Sequence, residues 1–141
     1  MQYVCDAPHG TWFRLETEGE AIQESAAMQH AVDKHFRRAR HDAANSYVPP
    51  AGLSHIEQNI GLKSYIAKTM PLFLTLRDSE GTALATAMLP PGGKPRSNFG
   101  AIVVGSENSD PYLYYELSID ALAVHIGMPL DADDCYPYRR R

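Results

Sequence analysis

A long amphipathic helix is the strongest pattern in this chain, and it constrains what the chain can fold into. This helix must end before Pro49 and Pro50, because proline cannot continue a helix. The pattern therefore predicts one helix from about Glu20 to Ala44, roughly 36 Å long. Before the prolines, apolar residues recur at three- and four-residue intervals, and on a helix they form one stripe that faces a core. The stripe consists of Met28, Val32, Phe36, Ala39 and Ala43.

A second helix and a β-hairpin are predicted to follow. Ser54 and Glu57 have the spacing of a capping box, which predicts a short helix that begins at Ser54 and ends at Gly61. Further along, the segments 72–77 and 82–89 are rich in β-forming residues. The residues between them favour a turn, so the two segments predict a pair of antiparallel strands.

The second half of the chain is predicted to add two strands and a terminal helix. Segments 99–104 and 112–117 contain many β-forming residues. Ser118 is placed to cap a helix that Gly127 would end. We therefore expect an α+β fold with one long N-terminal amphipathic helix, a short second helix, an antiparallel sheet of about four strands and a C-terminal helix.

The composition favours a single globular domain. The 141 residues are 44% hydrophobic, and a domain of this size buries enough surface to be stable without disulfides. We interpret 1–141 as one domain with a flexible tail over 130–141, and Cys5 and Cys135 as two reduced thiols. The first residues lack the basic and apolar regions of a secretory signal, and no segment reaches the ~18 consecutive apolar residues that would predict a membrane span. These features predict a cytoplasmic protein that makes no membrane contact.

A basic ridge on the predicted long helix is the first candidate binding surface. Its residues share an arc of about 100° opposite the apolar stripe. They are His30, Lys34, Arg37, Arg38 and His41. The net charge of −4 argues against indiscriminate nucleic-acid binding, and the helix dipole alone favours cations near a helix C-terminus. The ridge is therefore interpreted as a solvated face or a surface for an acidic protein, with phosphate or nucleic-acid contact as a weaker alternative.

Two further segments are candidate contact surfaces. Alternation along the predicted strand 112–117 places Tyr112 and Tyr114 together on its exposed face, and surface tyrosines are frequent at protein interfaces. Lys94 and Arg96 lie in the proline-rich segment 90–96, which predicts a loop that presents both cations to solvent. Ordinary β-propensity and a plain surface connection explain the same residues without any partner.

The sequence contains no recognisable motif for catalysis, cofactors or metals. His30 and His35 are five residues apart, whereas paired metal ligands on a helix are three or four apart. A phosphate-binding glycine loop and a nucleophile turn are both missing. Cys5 and His9 lie in an N-terminal segment that we expect to be too loose for a catalytic dyad. We therefore expect no metal site and no cofactor.

The patterns that remain are typical of interaction surfaces. They favour a small cytoplasmic protein without enzymatic activity that binds a protein partner or a second copy of itself. One alternative is phosphate or nucleic-acid binding through the basic ridge. A second alternative is a small enzyme in which His9, His55 or His125 acts as the general base at a site assembled by the fold.

Overall fold

The computed structural model describes residues 1–91 and 100–135. Within these ranges five strands form one sheet, in which the strands follow one another in chain order. Each neighbouring pair is antiparallel. The α+β class is confirmed, with five strands where about four were predicted. The strands are β1 (Gln2–Ala7), β2 (Gly10–Arg14), β3 (Leu72–Arg77), β4 (Ala83–Leu89) and β5 (Ile102–Gly105).

Four α-helices of the described residues cover the two faces of the sheet. They are α1 (Glu18–Met28), α2 (Val32–Ser46), α3 (His55–Thr69) and α4 (Tyr112–Ile126). The first three lie between β2 and β3 in the chain, with α1 and α2 against one face of the sheet and α3 packed on α2. The fourth follows β5 and packs on the opposite face. In the described ranges, none of these helices combines the length and the apolar character needed to cross a membrane.

Strand alternation separates two apolar clusters, one on each face of the sheet. Leu74 and Leu76 of β3 contribute to the cluster beneath α4, whereas Phe73, the residue before Leu74, packs with Phe36 of α2 on the other side. The two aromatic rings of that pair lie 5.1 Å apart. Each cluster ties helices to the same central strands, so the sheet and both helical layers form one domain.

The predicted long helix is wrong because the chain breaks it into α1 and α2. Gln29 ends α1 in the left-handed conformation, with φ of 56°. The Ser25 hydroxyl donates to the Asp33 carboxylate and accepts the Asp33 N–H, both at 2.9 Å, which fixes the two helices across the break. The apolar stripe nevertheless faces the core, since Met28, Val32, Phe36 and Ala43 are buried and Ala39 is partly buried against them. Periodicity therefore predicted the buried face and missed the reversal of the chain.

The helix α3 begins where its capping box predicts but does not end at Gly61. Ser54 accepts the Glu57 N–H at 3.2 Å, which confirms the predicted start. The helix then continues through Gly61 to Thr69. A Cβ at Gly61 would lie 2.3 Å from the hydroxyl oxygen of Tyr47. This glycine makes room for the tyrosine ring and does not act as a helix terminator.

The predicted strand over 112–117 is wrong, because these residues form the first half of α4. Asp110 accepts the Tyr112 N–H at 2.9 Å at the start of the helix. Ser118 lies inside α4 and is not its cap, whereas the predicted helix end at Gly127 is confirmed, with φ of 70°. Burial of Ile119 on the sheet outweighs the β-propensity of the preceding tyrosines.

The predicted flexible tail over 130–141 is described only as far as Cys135. Leu130 and Cys135 are both buried in the cluster beneath α4, and Cys135 forms an isolated bridge with Val103 of β5. The described part of this segment is therefore packed. Cys5 and Cys135 are two separate buried thiols in the same cluster, and burial raises the pKa of the Cys5 thiol.

Candidate functional site

The predicted basic ridge is not brought together as one surface. Arg37 is paired with Glu18 of α1 at 3.0 Å, and Arg38 lies 4.0 Å from Asp42 on its own helix. The ring of His41 is hydrogen-bonded to the Asn45 side chain at 2.9 Å. Lys34 is exposed, but His30 lies in the break between α1 and α2 and points away from the ridge. Glu18 and Asp42 therefore neutralise part of this face. His30, the first residue of the ridge, belongs to a different site.

That site is a chain of hydrogen bonds that runs through the interface between α1 and the sheet. Glu24 of α1 is completely buried and accepts from the Arg77 Nη2 of β3 at 2.6 Å. The Thr86 hydroxyl of β4 donates to the second oxygen of Glu24. His30 completes the chain, with its Nε2 lying 2.8 Å from the same Thr86 hydroxyl oxygen. The chain thus joins a buried ion pair to a histidine near the surface.

The hydrogen bonds assign the tautomer of His30. The Thr86 proton is already donated to Glu24, so His30 Nε2 must carry a proton and donate it. Its Nδ1 accepts the Val32 N–H at 3.4 Å. Burial lowers the pKa of His30, against an opposing effect of the Glu24 charge. The imidazole is therefore held neutral with both nitrogens occupied, which suits a structural link better than a general base.

A cleft of about 550 Å³ opens beside His30, between the α1–α2 break and strands β4 and β5. Its walls are mainly apolar, and its polar groups besides His30 are few. The apolar side chains lining it include Val32, Phe73, Met88, Ile102 and Val104. The half-buried His30 at this cleft is committed to hydrogen bonds within the fold. The lining of this cleft suits an apolar group.

A serine and a histidine meet on the other face of the sheet, at the hairpin of β1 and β2, which the sequence patterns did not predict. His9 lies in the turn between β1 and β2, and its Nδ1 is 2.8 Å from the Ser118 hydroxyl oxygen, which also accepts the His9 N–H at 3.0 Å. The Ser118 carbonyl accepts from the indole of Trp12 at 2.9 Å. Ser118 is completely buried, so substrate cannot reach its oxygen. The pair fastens the hairpin to α4.

The two tyrosines of the predicted interface lie on the first turn of α4. The Tyr112 hydroxyl donates to Glu116 at 3.2 Å, and Tyr114 is exposed. Partial burial raises the pKa of Tyr112, and the charges of Glu116, Asp120 and Asp131 act in the same direction. The tyrosines therefore border an acidic surface on a helix.

The other candidates from the sequence are spread over the molecule. His55 begins α3 and His125 lies near the end of α4; both are exposed, and neither lines the cleft beside His30. His9 does not line it either. Lys94 and Arg96 lie outside the described residues.

Metal ligands do not gather in the described part of the chain. Over residues 1–91 and 100–135, no three His, Cys, Asp or Glu side chains are close enough together to hold a metal ion. The fold defines an α+β protein with a five-stranded antiparallel sheet between two helical layers. No family model matches the chain, and no curated protein or solved structure is significantly similar to it. The function is therefore inferred from the surfaces themselves.

Proposed function

We propose that the protein binds a cationic amphipathic helix of a partner protein along the outer face of α4. One observation carries this proposal. The exposed fractions of Leu113, Leu117 and Val124 are 70%, 61% and 84%, although the inner face of the same helix is buried in the core. Contiguous large apolar side chains on the surface are typical of interaction sites.

The geometry of this face suits a helical partner. Leu117, Ala121 and Val124 are spaced by four and three residues, so they lie on one side of the helix. Leu113 extends the row by one turn beyond the irregular backbone at Tyr115. From Leu113 to Val124 the row is about 16 Å long, which matches the three-turn spacing of anchors on a docked amphipathic helix. We call these four residues the α4 stripe.

The charges beside the α4 stripe specify the partner. Glu116 and Asp120 lie next to it, and α4 contains no lysine or arginine. A partner helix with cations flanking its own apolar anchors would be steered to this face and held there. A second copy of the chain would bring the same carboxylates together, and an anionic membrane surface would be repelled. Charge complementarity therefore favours a cationic partner over either of these.

The test uses a synthetic peptide of about 18 leucine and lysine residues whose leucines have the three- and four-residue spacing of an amphipathic helix. We expect its labelled form to bind, measured by fluorescence anisotropy, and a peptide of scrambled order to bind much less. The variant Leu117→Asp should weaken binding about tenfold or more, because one apolar anchor is replaced by a buried charge. Glu116→Lys together with Asp120→Lys should weaken it and reduce its salt dependence.

A matched control is available on α3. Ile60 is exposed to 64%, nearly the same as Leu117 at 61%, and lies on the other side of the molecule. Ile60→Asp should leave peptide binding unchanged. Equal effects of Leu117→Asp and Ile60→Asp would overturn the proposal. So would sedimentation of the protein alone as a dimer that Leu117→Asp dissociates, since the occupant would then be a second copy. Circular dichroism checks that each variant is folded.

A further inference from the structure

Three cations from three different elements line a second cleft, of about 320 Å³, on the side of the sheet away from α4. Arg14 is the last residue of β2, Arg40 lies on the third turn of α2, and Lys63 lies in the middle of α3. The floor of the cleft is apolar. It is formed by Leu15, Phe36, Ile66, Ala67, Met70 and Pro71.

These three cations have no anionic partner in the part of the chain that the structure describes. The ion pairs and side-chain hydrogen bonds of residues 1–91 and 100–135 include those of Arg37, Arg38 and Arg77 but none of Arg14, Arg40 or Lys63. The sequence outside these ranges contains no aspartate or glutamate. The cleft therefore gathers like charges whose repulsion an anion would relieve.

The single carboxylate at the cleft does not supply that anion. Glu16 lines the cleft, but its Oε1 is 3.6 Å from the N-terminal amine of Met1. The nearby start of α1 is also occupied, since Thr17 and Glu20 form a reciprocal capping box there. The cleft remains net positive, and the cations are its available binding groups.

The charge, size and floor of the cleft point to one class of ligand. A phosphate monoester has a charge between −1.5 and −2 near neutral pH and three strong acceptor oxygens, roughly matching three cations. Arginine forms paired hydrogen bonds with phosphate oxygens. A cleft of about 320 Å³ holds a phosphate together with a small organic group but no nucleic-acid duplex. The apolar floor then contacts the organic group.

We propose that Arg14, Arg40 and Lys63 form a binding site for a small phosphate monoester with an apolar substituent. The site is independent of the α4 stripe, because it lies on the opposite helical layer. It also differs from the predicted basic ridge, whose Arg37 and Arg38 are engaged with carboxylates.

The test titrates the full chain with phenyl phosphate, inorganic phosphate and phenol, using calorimetry and the NMR signals of the arginine side chains. Phenyl phosphate should bind with saturation, about tenfold more tightly than inorganic phosphate, and phenol should not bind. Arg40→Gln should weaken phenyl phosphate binding about tenfold or more, because a charge-assisted hydrogen bond is lost. The Arg14→Gln and Lys63→Gln variants should have effects of the same kind.

Arg38→Gln is the matched control. Arg38 is on the same helix, two residues before Arg40, and its side chain is largely exposed beside Asp42. This variant should bind phenyl phosphate like the unmodified protein. Equal affinities of the Arg38→Gln and Arg40→Gln variants would overturn the proposed site. Equal binding of inorganic and phenyl phosphate would overturn the role of the apolar floor, and binding only to phosphatidic acid vesicles would overturn the small-molecule ligand.

Discussion

Two histidine-containing networks fasten helices to opposite faces of the sheet, and they differ in charge. On the α1 side, His30 and Thr86 lead to the buried ion pair of Glu24 and Arg77. On the α4 side, His9 and Ser118 form a neutral pair next to Trp12. Each contains the residue types of a catalytic site, a hydroxyl and a histidine.

The comparison shows why residue type alone does not identify catalysis. In both networks the hydroxyl oxygen is buried and already hydrogen-bonded within the fold. The two networks differ in how much unfolding free energy is lost when each is broken. A buried charge that loses its partner is far more costly than a neutral pair that water can replace.

The largest effect is expected from Arg77→Ala. This change leaves Glu24 buried without its countercharge, and breaking such a pair costs about 3–5 kcal/mol of unfolding free energy. Glu24→Gln should cost less, since Arg77 keeps its bonds to Thr75 and to the Gly81 carbonyl. Urea unfolding measures both variants.

The exposed pair of Arg37 and Glu18 provides the control for this experiment. Its bond is 3.0 Å long, but both side chains are open to solvent. Arg37→Ala should therefore cost less than about 1 kcal/mol. A loss as large as that of Arg77→Ala would show that burial does not govern the strength of these ion pairs.

Local patterns in the sequence were sufficient to predict the elements whose signals are local. The capping box at Ser54, the hairpin of β3 and β4, and the buried stripe from Met28 to Ala43 all follow from neighbouring residues. The break at Gln29 could not be predicted from neighbouring residues, because the hydrogen bonds that stabilise it join Ser25 to Asp33 and His30 to Thr86. Those partners come together only in the folded chain.

The candidate sites were harder to predict for the same reason. Arg14, Arg40 and Lys63 are far apart in sequence and belong to no motif. The ridge residues are close in sequence, but two of them, Arg37 and Arg38, are engaged with carboxylates. Two residues of the α4 stripe, Leu113 and Leu117, were assigned to the predicted strand 112–117, on which they would face the core opposite Tyr112 and Tyr114. A shift from strand to helix periodicity exposed them instead. The sequence shows where charged and apolar residues lie along the chain. It does not show which charged residues form ion pairs or which apolar residues are buried in the fold.

A smaller effect is expected from Ser118→Ala, the corresponding change in the neutral network. The change removes the bonds of the hydroxyl to the His9 ring and to the His9 N–H. Because His9 is exposed, water can replace both bonds, so the cost should be about 1 kcal/mol or less. Ser64→Ala on the exposed side of α3 should be close to neutral and serves as the reference. If Ser118→Ala were as destabilising as Arg77→Ala, the distinction between the charged and the neutral network would fail.

The smallest effect concerns the pH dependence of the charged network. In the unfolded chain the pKa of His30 is about 6.5, and burial lowers it in the folded protein. Below about pH 6.5 the unfolded chain therefore binds a proton that the folded protein does not, so this group makes stability fall as the pH is lowered. The fall continues until the pH is below the folded pKa. The variant His30→Gln should show a shallower loss of unfolding free energy between about pH 7 and pH 5, measured by urea unfolding at several pH values. Parallel curves for the variant and the unmodified protein would show that His30 is not held neutral by the fold.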